Sequence, residues 1–173
     1  MLRWICNVIM WLSLAFLLTL TYVQGQLTEC PASGGWFEWS PIGGDPACYR
    51  CFTNEEEWEK ANNICRTYGG FLASVHSRQE NDQILDVCPG VYDLWIGLND
   101  RDWEGDWVWS DRTDVVYLNW DPGEPDGKSR GLFNSDVHCT AQRNEGILPG
   151  GKGWEDEDCG DKKKFVCKVM LDK

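Results

Sequence analysis

Two acidic segments in the second half of the chain carry the residue types of a metal site. In the first, Glu124 and Asp126 flank Pro125, and a cis bond before the proline would let both carboxylates point to one side of a tight turn. In the second, Trp154 is followed by four consecutive carboxylates, Glu155, Asp156, Glu157 and Asp158. Calcium takes six to eight oxygen ligands at about 2.3 to 2.6 Å, whereas magnesium keeps several of its waters. The two segments therefore predict a calcium site, and the alternative is that each is only a solvated acidic face.

The N-terminal 25 residues have the pattern of a secretory signal peptide. Arg3 precedes an apolar run, which is followed by the small-residue pattern Val23-Gln24-Gly25. An uncleaved membrane anchor is the alternative, but polar residues interrupt the run and it is short for a span of roughly 20 residues. We therefore expect a signal peptide over residues 1–25 and one secreted, extracellular domain over residues 26–173, with no membrane span.

The mature chain is acidic and rich in cysteine. Without Arg3, 15 basic residues stand against 28 acidic ones, a formal net charge of −13, which disfavours nucleic acid and anionic membranes as partners and favours cations. Eight cysteines remain after removal of the leader, and an even number in an exported chain indicates disulfides. Zinc is the competing use, but Cys48 and Cys51 form an isolated Cys-x-x-Cys pair and the two histidines are far apart.

Two helices that could support these segments are predicted in the first half. Thr53-Asn54-Glu55-Glu56 has the form of a capping box, in which side chains satisfy free backbone N–H groups at a helix start. Apolar residues then recur at spacings of three and four until Gly69-Gly70, which suits a left-handed helix end. Ser77-Arg78-Gln79-Glu80 repeats the capping signal before a second run that Pro89-Gly90 ends. The predicted inward faces are Trp58, Ala61, Cys65 and Tyr68 in the first helix and Ile84, Leu85 and Cys88 in the second.

The second half of the chain has the pattern of short antiparallel strands separated by turns rich in Gly, Asp and Pro. Between Ser110 and Asp136 lies a long stretch with little periodicity, and loops longer than about 15 residues are usually functional in compact domains. Helices followed by strands in one disulfide-bonded chain predict an α+β fold. The predicted strands are residues 94–98, 107–109, 137–141 and 165–169.

Several segments resemble the motifs of C-type lectin-like domains. Trp95-Ile96-Gly97-Leu98-Asn99-Asp100 and Trp107-Val108-Trp109-Ser110-Asp111 resemble two successive strand motifs of this family. Trp154-Glu155-Asp156 with Cys159 resembles its Trp-Asn-Asp-x-x-Cys segment. The resemblance extends from Cys30 to Lys168. It implies a double-loop fold of two helices and two small antiparallel sheets.

The resemblance also implies a disulfide framework of the long form of the family. It pairs Cys65 with Cys167, Cys139 with Cys159 and Cys30 with Cys48. Cys51 and Cys88 then remain for each other, and an exchange among Cys30, Cys48 and Cys51 is the alternative.

For function, the resemblance implies a calcium ion that coordinates sugar hydroxyls directly. Sugar-binding members hold it with a Glu-Pro-Asn or Gln-Pro-Asp turn, a Glu before a framework cysteine and the Asn-Asp of a later strand. Because Val137 stands two residues before Cys139, Asp136 is the nearest substitute for that Glu. The metal ligands implied here are Glu124, Asp126, Asp136, Glu155 and Asp156. The implied sugar contacts are Glu124, Asp126 and Glu155, with Trp120 as a stacking surface.

Two departures from the family pattern bear on sugar recognition. Members with Glu-Pro-Asn tend to bind mannose-type sugars and those with Gln-Pro-Asp galactose-type sugars, whereas this turn is the hybrid Glu124-Pro125-Asp126. Glu155 replaces an Asn, so the expected ligand set has up to five carboxylates and no amide donor. Their mutual repulsion should raise some pKa values and weaken calcium binding in mild acid. Trp120, Trp103 or Tyr117 could stack on a sugar, with packing beneath the long loop as the alternative, which we favour for Trp120.

A second calcium site of some relatives is expected to be weak or absent. It would use Asp100 and Glu104, but Gly127 and His138 occupy two of its other acidic positions. The chain has no nucleophile elbow, zinc-protease helix or phosphate loop, so we do not expect an enzyme. The sequence thus predicts a calcium-dependent carbohydrate-binding protein. The alternative is an acidic module of the same fold that binds mineral calcium or a protein partner, and assembly into a homo-oligomer is left open.

Overall fold

The computed structural model describes residues 29–32, 34–41, 44–128, 137–144 and 152–172. The expected signal peptide and Asp136 lie outside these residues. Within them, no helix combines the length and apolar character needed to cross a membrane. The strands are β1 (Phe37–Trp39), β2 (Ala47–Glu56), β3 (Phe71–Leu72), β4 (Asp93–Asn99), β5 (Val108–Trp109), β6 (Val137–Arg143), β7 (Trp154–Asp158) and β8 (Lys163–Met170); the helices are α1 (Trp58–Thr67) and α2 (Arg78–Val87).

Helix α1 begins later than the capping signal predicted. Residues 53–56 belong to β2, and α1 has Glu57 at its N-cap position without a side-chain capping hydrogen bond. The prediction of a capping box at Thr53 is therefore wrong. The physical reason is tertiary, because pairing of β2 with β8, including Glu56 opposite Lys163, outweighs a local helix-start preference. The predicted inward face is confirmed for Trp58, Ala61 and Cys65, which are buried.

Helix α2 has the predicted cap. The Glu80 N–H donates to Ser77 Oγ at 3.1 Å, so Ser77 caps the helix as expected. The Glu80 carboxylate accepts the N–H of His76 at 2.7 Å. Its other oxygen accepts hydrogen bonds from the Tyr49 hydroxyl at 2.6 Å and from Lys168 Nζ at 2.5 Å. One buried carboxylate thus fastens α2 to both β2 and β8.

The described strands form one mixed sheet in the order β1-β2-β8-β4-β6-β7, with β3 beside β8 and β5 beside β4. Antiparallel pairing holds β1, β2, β3 and β8 together, and likewise β4, β5, β6 and β7. A short parallel pairing of β4 with β8 joins these two parts. The α+β prediction with two helices is confirmed, whereas the two antiparallel sheets that the resemblance implies are joined into one mixed sheet by the β4–β8 pairing. Each predicted strand is present, and its ends differ from the prediction by at most two residues.

All four implied disulfides are present. Cys30 is bonded to Cys48, Cys51 to Cys88, Cys65 to Cys167 and Cys139 to Cys159. The third bridge closes a sequence separation of 102 residues and ties α1 to β8. The fourth ties β6 to the turn after β7, next to the acidic segment that begins at Glu155.

A cluster of aromatic side chains lies beneath the long loop. Trp154 is fully buried, and its Nε1–H donates to Asn81 Oδ1 at 2.9 Å and to Gln142 Oε1 at 2.6 Å. The rings of Trp109, Tyr117 and Trp120 meet Trp154 edge-on, with centroids 5.6 to 6.0 Å away. Such pairs add about 0.5 to 1.5 kcal/mol each beyond the area they bury, so the loop is anchored to the first residue of β7.

Candidate metal centre

Backbone hydrogen bonds hold the long loop beside β7. The Trp154 N–H donates to the Asn119 carbonyl at 2.7 Å, and the Asp121 N–H donates to the Trp154 carbonyl at 2.9 Å. These two bonds make a parallel bridge between Trp120 and Trp154. The Glu124 N–H then donates to the Asp121 carbonyl at 3.0 Å and closes a tight turn. The Glu-Pro-Asp turn is therefore placed directly next to the acidic residues of β7.

Three carboxylates converge at this junction. The Glu124–Pro125 peptide bond is cis, and Glu124, Asp126 and Asp156 each offer an oxygen within 4.8 Å of the others. Asp156 also accepts two backbone hydrogen bonds from the turn, from the N–H groups of Asp126 and Gly127, both at 2.9 Å. The structure thus brings together three of the five predicted metal ligands.

The Glu124 carboxyl is in an unusual electrostatic environment. Partial burial, a hydrogen bond to Asp156 and the negative charges of Asp156 and Asp126 raise the pKa of Glu124 to about 7. Its Oε2 atom is buried and has no hydrogen-bond partner within the described part of the chain. A buried carboxylate oxygen without a partner is costly, and a cation would satisfy it. The three residues therefore fit a hard divalent cation with several coordination positions left for water or ligand oxygens.

Glu155 has different neighbours from those expected. Successive residues of a strand point to opposite faces, so Glu155 lies on the face of β7 opposite to Asp156. Its Oε2 is 3.2 Å from Arg143 NH1, and its carboxylate groups with those of Asp93 and Glu157. The structure does not bring Glu155 to the three-carboxylate group, and its role as a metal or sugar ligand stays a prediction.

Two basic residues near the site had been missed in the sequence. Arg143 NH1 lies 3.2 Å from Glu155 Oε2 and 3.6 Å from Asp121 Oδ2. Arg143 therefore links β6 to β7 and to the long loop. Its guanidinium is distant in sequence from both carboxylates, so no local spacing signals the pair. Lys128 contacts Asp126 through its backbone N–H at 2.8 Å and its Nζ at 3.1 Å. Here the two-residue spacing was a usable signal, since it is typical of an Asx turn.

The predicted aromatic platform is mainly a packing element. Trp120 is half-buried, and its ring centroid is 4.7 Å from that of Trp107, edge to face. Tyr117 is also half-buried, against Trp154. Trp103 has the opposite character, with 76% of its surface exposed. Packing therefore accounts for the position of Trp120, and its contact with a sugar stays a prediction.

Comparisons with known proteins agree with the fold. The sequence matches the family described as Lectin C-type domain over residues 54–169. It is 34% identical to C-type lectin BPL of Bothrops pirajai over 149 residues, which is 83% of this chain and 99% of that protein.

Solved structures of known proteins have the same fold. The C-type carbohydrate-recognition domain of cow CD23, solved in the presence of a GlcNAc2Man3 oligosaccharide, superimposes with a TM-score of 0.68 at 28% identity, covering 84% of this chain and 99% of that one. A calcium-independent type II antifreeze protein superimposes with a TM-score of 0.67 at 26% identity, covering 86% of this chain and 100% of that one. The chain therefore belongs to the C-type lectin domain family.

Proposed function

We propose that the chain is a secreted lectin that binds carbohydrate through a calcium ion held by Glu124, Asp126 and Asp156. The observation that carries the proposal is the convergence of these three carboxylates, one of which has a buried oxygen without a hydrogen-bond partner among the described residues. Membership of a family that generally binds carbohydrate with calcium supports the same function. Secretion is proposed from the N-terminal signal pattern and from the four disulfides, which persist in oxidising compartments.

Each residue has a distinct task in this proposal. Asp156 lies on a strand and holds the turn through the N–H groups of Asp126 and Gly127, so the turn is positioned before any ligand arrives. Glu124 must lose its proton to act as an anionic ligand, and its pKa near 7 makes this possible at the pH of most extracellular fluids. When bound, calcium supplies coordination positions for vicinal hydroxyls of a sugar. The carboxylates of Glu124 and Asp126 then accept hydrogen bonds from those hydroxyls.

The lack of hydrogen-bond donors on the Glu124 and Asp126 side chains limits the affinity for a sugar. A sugar hydroxyl that binds the ion can donate to a carboxylate, but here neither Glu124 nor Asp126 can donate in return when ionised. Each hydrogen bond that is missing in this way costs roughly 0.5 to 1.5 kcal/mol, up to about tenfold in affinity. The Lys128 ammonium donates a hydrogen bond to Asp126 and lies beside the turn. It can also donate to a sugar hydroxyl, which would offset part of the lost affinity. We therefore expect a weak monovalent sugar affinity.

A second candidate function is an acidic module that binds mineral calcium or a protein partner without sugar recognition. The formal net charge of −13 for the mature chain and the absence of amide side chains from the Glu-Pro-Asp turn favour it. The similarity to an antifreeze protein described as calcium-independent supports the idea that this fold also serves other ligands.

Affinity chromatography separates the two candidates. The mature chain, residues 26–173, would be applied to immobilised mannose and to immobilised galactose with calcium and eluted with a chelator. Retention that the chelator reverses is expected for the lectin. Absence of retention on both columns, with a melting temperature still raised by calcium, would favour the acidic module.

The calcium site itself is tested by thermal unfolding of two variants. Glu124→Ala should abolish the rise in melting temperature that calcium causes, because it removes a ligand from the turn. Asp114→Ala changes an exposed carboxylate of the same loop and should leave that rise unchanged. If calcium fails to raise the melting temperature of the unaltered protein, both candidate functions lose their metal site.

A further inference from the structure

A surface groove lies on the outer side of α2. It has a volume of about 350 Å³ and runs between the end of β1 and the helix. Its lining residues are Trp39, Ser40, Gln79, Asp82, Gln83 and Asp86. The four that belong to α2 are spaced at i, i+3, i+4 and i+7, so they share one face of the helix. Asn81 on the opposite face accepts the hydrogen bond from Trp154, so the groove is turned away from the aromatic cluster beneath the long loop.

The helix face of the groove carries negative charge that the described residues leave largely uncompensated. Asp82 and Asp86 are both exposed and four residues apart, a spacing at which like charges repel. Asp86 also lies in the last turn of α2, where a basic residue is favoured by the helix dipole and none is present. The Arg78 side chain is 4.0 Å from Asp82 and 86% exposed, so it neutralises little of this charge. A bound cation would relieve both conflicts, and such local conflicts are expected at functional sites.

Trp39 supplies an aromatic wall to the groove. It is the last residue of β1, where it pairs with Ala47, and it is half-buried. Its ring meets that of Tyr49 edge-on, with centroids 6.1 Å apart. The indole is therefore held in place by the core while part of it stays accessible in the groove. An indole attracts cations, and a planar guanidinium can also stack on it.

The combination of one indole and two carboxylates fits an arginine side chain. A guanidinium has five N–H donors in a planar fork and can bond two carboxylates at once, whereas a lysine ammonium is a compact point charge. The remaining lining groups are the carboxamides of Gln79 and Gln83 and the hydroxyl of Ser40. These groups both donate and accept hydrogen bonds, which is what the peptide groups on either side of an arginine require.

Charge selects the kind of partner. The formal net charge of −13 for the mature chain attracts a basic protein and repels an acidic one. A second copy of the chain is disfavoured as the occupant, because a symmetric interface would bring Asp82 and Asp86 of both copies together. The groove volume lies near the lower end of the range for ligand clefts, roughly 300 to 1,000 Å³, so one long side chain with its flanking backbone is a suitable occupant.

We propose that this groove docks an arginine side chain presented by a basic segment of a protein partner, with the guanidinium between Trp39 and the carboxylates of Asp82 and Asp86. The groove shares no residue with the Glu124 group, so this docking is independent of the proposed calcium and sugar site. The competing explanation is that the groove is only a solvated acidic face.

A magnetic resonance titration tests the proposal. The isotope-labelled mature protein is saturated with calcium and titrated with the capped peptide acetyl-Gly-Arg-Gly-amide. The indole N–H signal of Trp39, identified by its loss in Trp39→Phe, should shift and saturate. The same peptide with citrulline, which is neutral and nearly the same shape, should bind at least about tenfold more weakly, because it loses both ion pairs and the contact of the cation with the indole. Free argininamide should also bind more weakly than the capped peptide, because it lacks the flanking peptide groups.

Matched variants complete the design. The double variant Asp82→Asn with Asp86→Asn should weaken binding of the arginine peptide at least about fivefold, since each exposed ion pair contributes up to about fivefold. Glu55→Gln with Asp102→Asn removes the same two charges from exposed positions outside the groove and should bind as the unaltered protein does. A loss in this control as large as in the groove variant would show that overall charge attracts the peptide, and would overturn the proposal. So would the absence of a saturable Trp39 shift, equal binding of the citrulline peptide, or equal binding of argininamide, which would assign the groove to a small guanidinium compound.

Discussion

Replacement of Glu124 by Gln should remove the pH dependence of calcium binding. The pKa of Glu124 is raised to about 7 by burial and by Asp156 and Asp126, so calcium must displace a proton from it below neutral pH. For one displaced proton, the calcium dissociation constant of the unaltered protein should be about tenfold higher at pH 6 than at pH 8. Gln retains a carbonyl oxygen but has no proton to lose. Its calcium affinity should therefore be lower at pH 8 and nearly constant between pH 6 and 8.

The same substitution should stabilise the calcium-free protein at pH 8. The folded-state pKa of Glu124 lies above the ordinary value of 4.5 for a Glu carboxyl, so the folded state binds the extra proton. The contribution of this proton to stability is lost as pH rises from about 4.5 through about 7. That difference in pKa corresponds to about 3 kcal/mol, which solvent screening at this partly exposed carboxyl reduces to about 1 to 2 kcal/mol. Gln carries no charge, so the variant should melt roughly 3 to 6 °C higher than the unaltered protein in EDTA at pH 8.

Two measurements check this pair of expectations. Calorimetric titration with calcium at pH 6, 7 and 8 gives the dissociation constants, and thermal unfolding in EDTA gives the stabilities. Asp114→Asn serves as a control, because it removes a carboxylate of the same loop and should leave both quantities unchanged. A dissociation constant of the unaltered protein that is equal at pH 6 and pH 8 would refute the assignment of Glu124 as a ligand. A Gln variant less stable than the unaltered protein in EDTA at pH 8 would refute the electrostatic account.

Three further predictions concern residues around the site. Lys128→Ala should tighten calcium binding about two- to fivefold by calorimetry, because the exposed ammonium no longer competes for the Asp126 carboxylate; an unchanged affinity would place the ion away from Asp126. Arg143→Met should lower the free energy of unfolding in urea by about 3 kcal/mol, since it leaves the buried Glu155 without its guanidinium, and a loss below about 1 kcal/mol would contradict this. Ser77→Ala should cost about 1 kcal/mol in the same assay by removing the cap of α2, without altering calcium affinity.

Much of the site could be predicted from the sequence because its signals are local. Glu124 and Asp126 are two residues apart on one turn, and Asp156 lies two residues after Trp154 in a family motif. The family resemblance implied three of the four disulfides, and the Cys51–Cys88 bridge followed from it only by elimination, with an exchange among Cys30, Cys48 and Cys51 as the alternative. Strong apolar runs likewise indicated β4, β6 and β8, and the Ser77 cap marked the start of α2. Apart from the disulfides, the information in these cases lies within a few neighbouring residues.

The tertiary structure alone decided which side chains meet across the sheet. Thr53 to Glu56 have a helix-start pattern, yet they belong to β2, because the pairing of β2 with β8 continues past them to Glu56, opposite Lys163, and outweighs one local cap. Glu155 has the motif position of a ligand but faces Arg143, since adjacent residues of a strand point to opposite faces and the register of β6 and β7 brings the guanidinium there. His138 meets Asp100 for the same kind of reason, 38 residues away in sequence. The types and local spacing of the acidic residues could be taken from the sequence. The side chains that each acidic residue contacts depend on strand register, which only the folded chain defines.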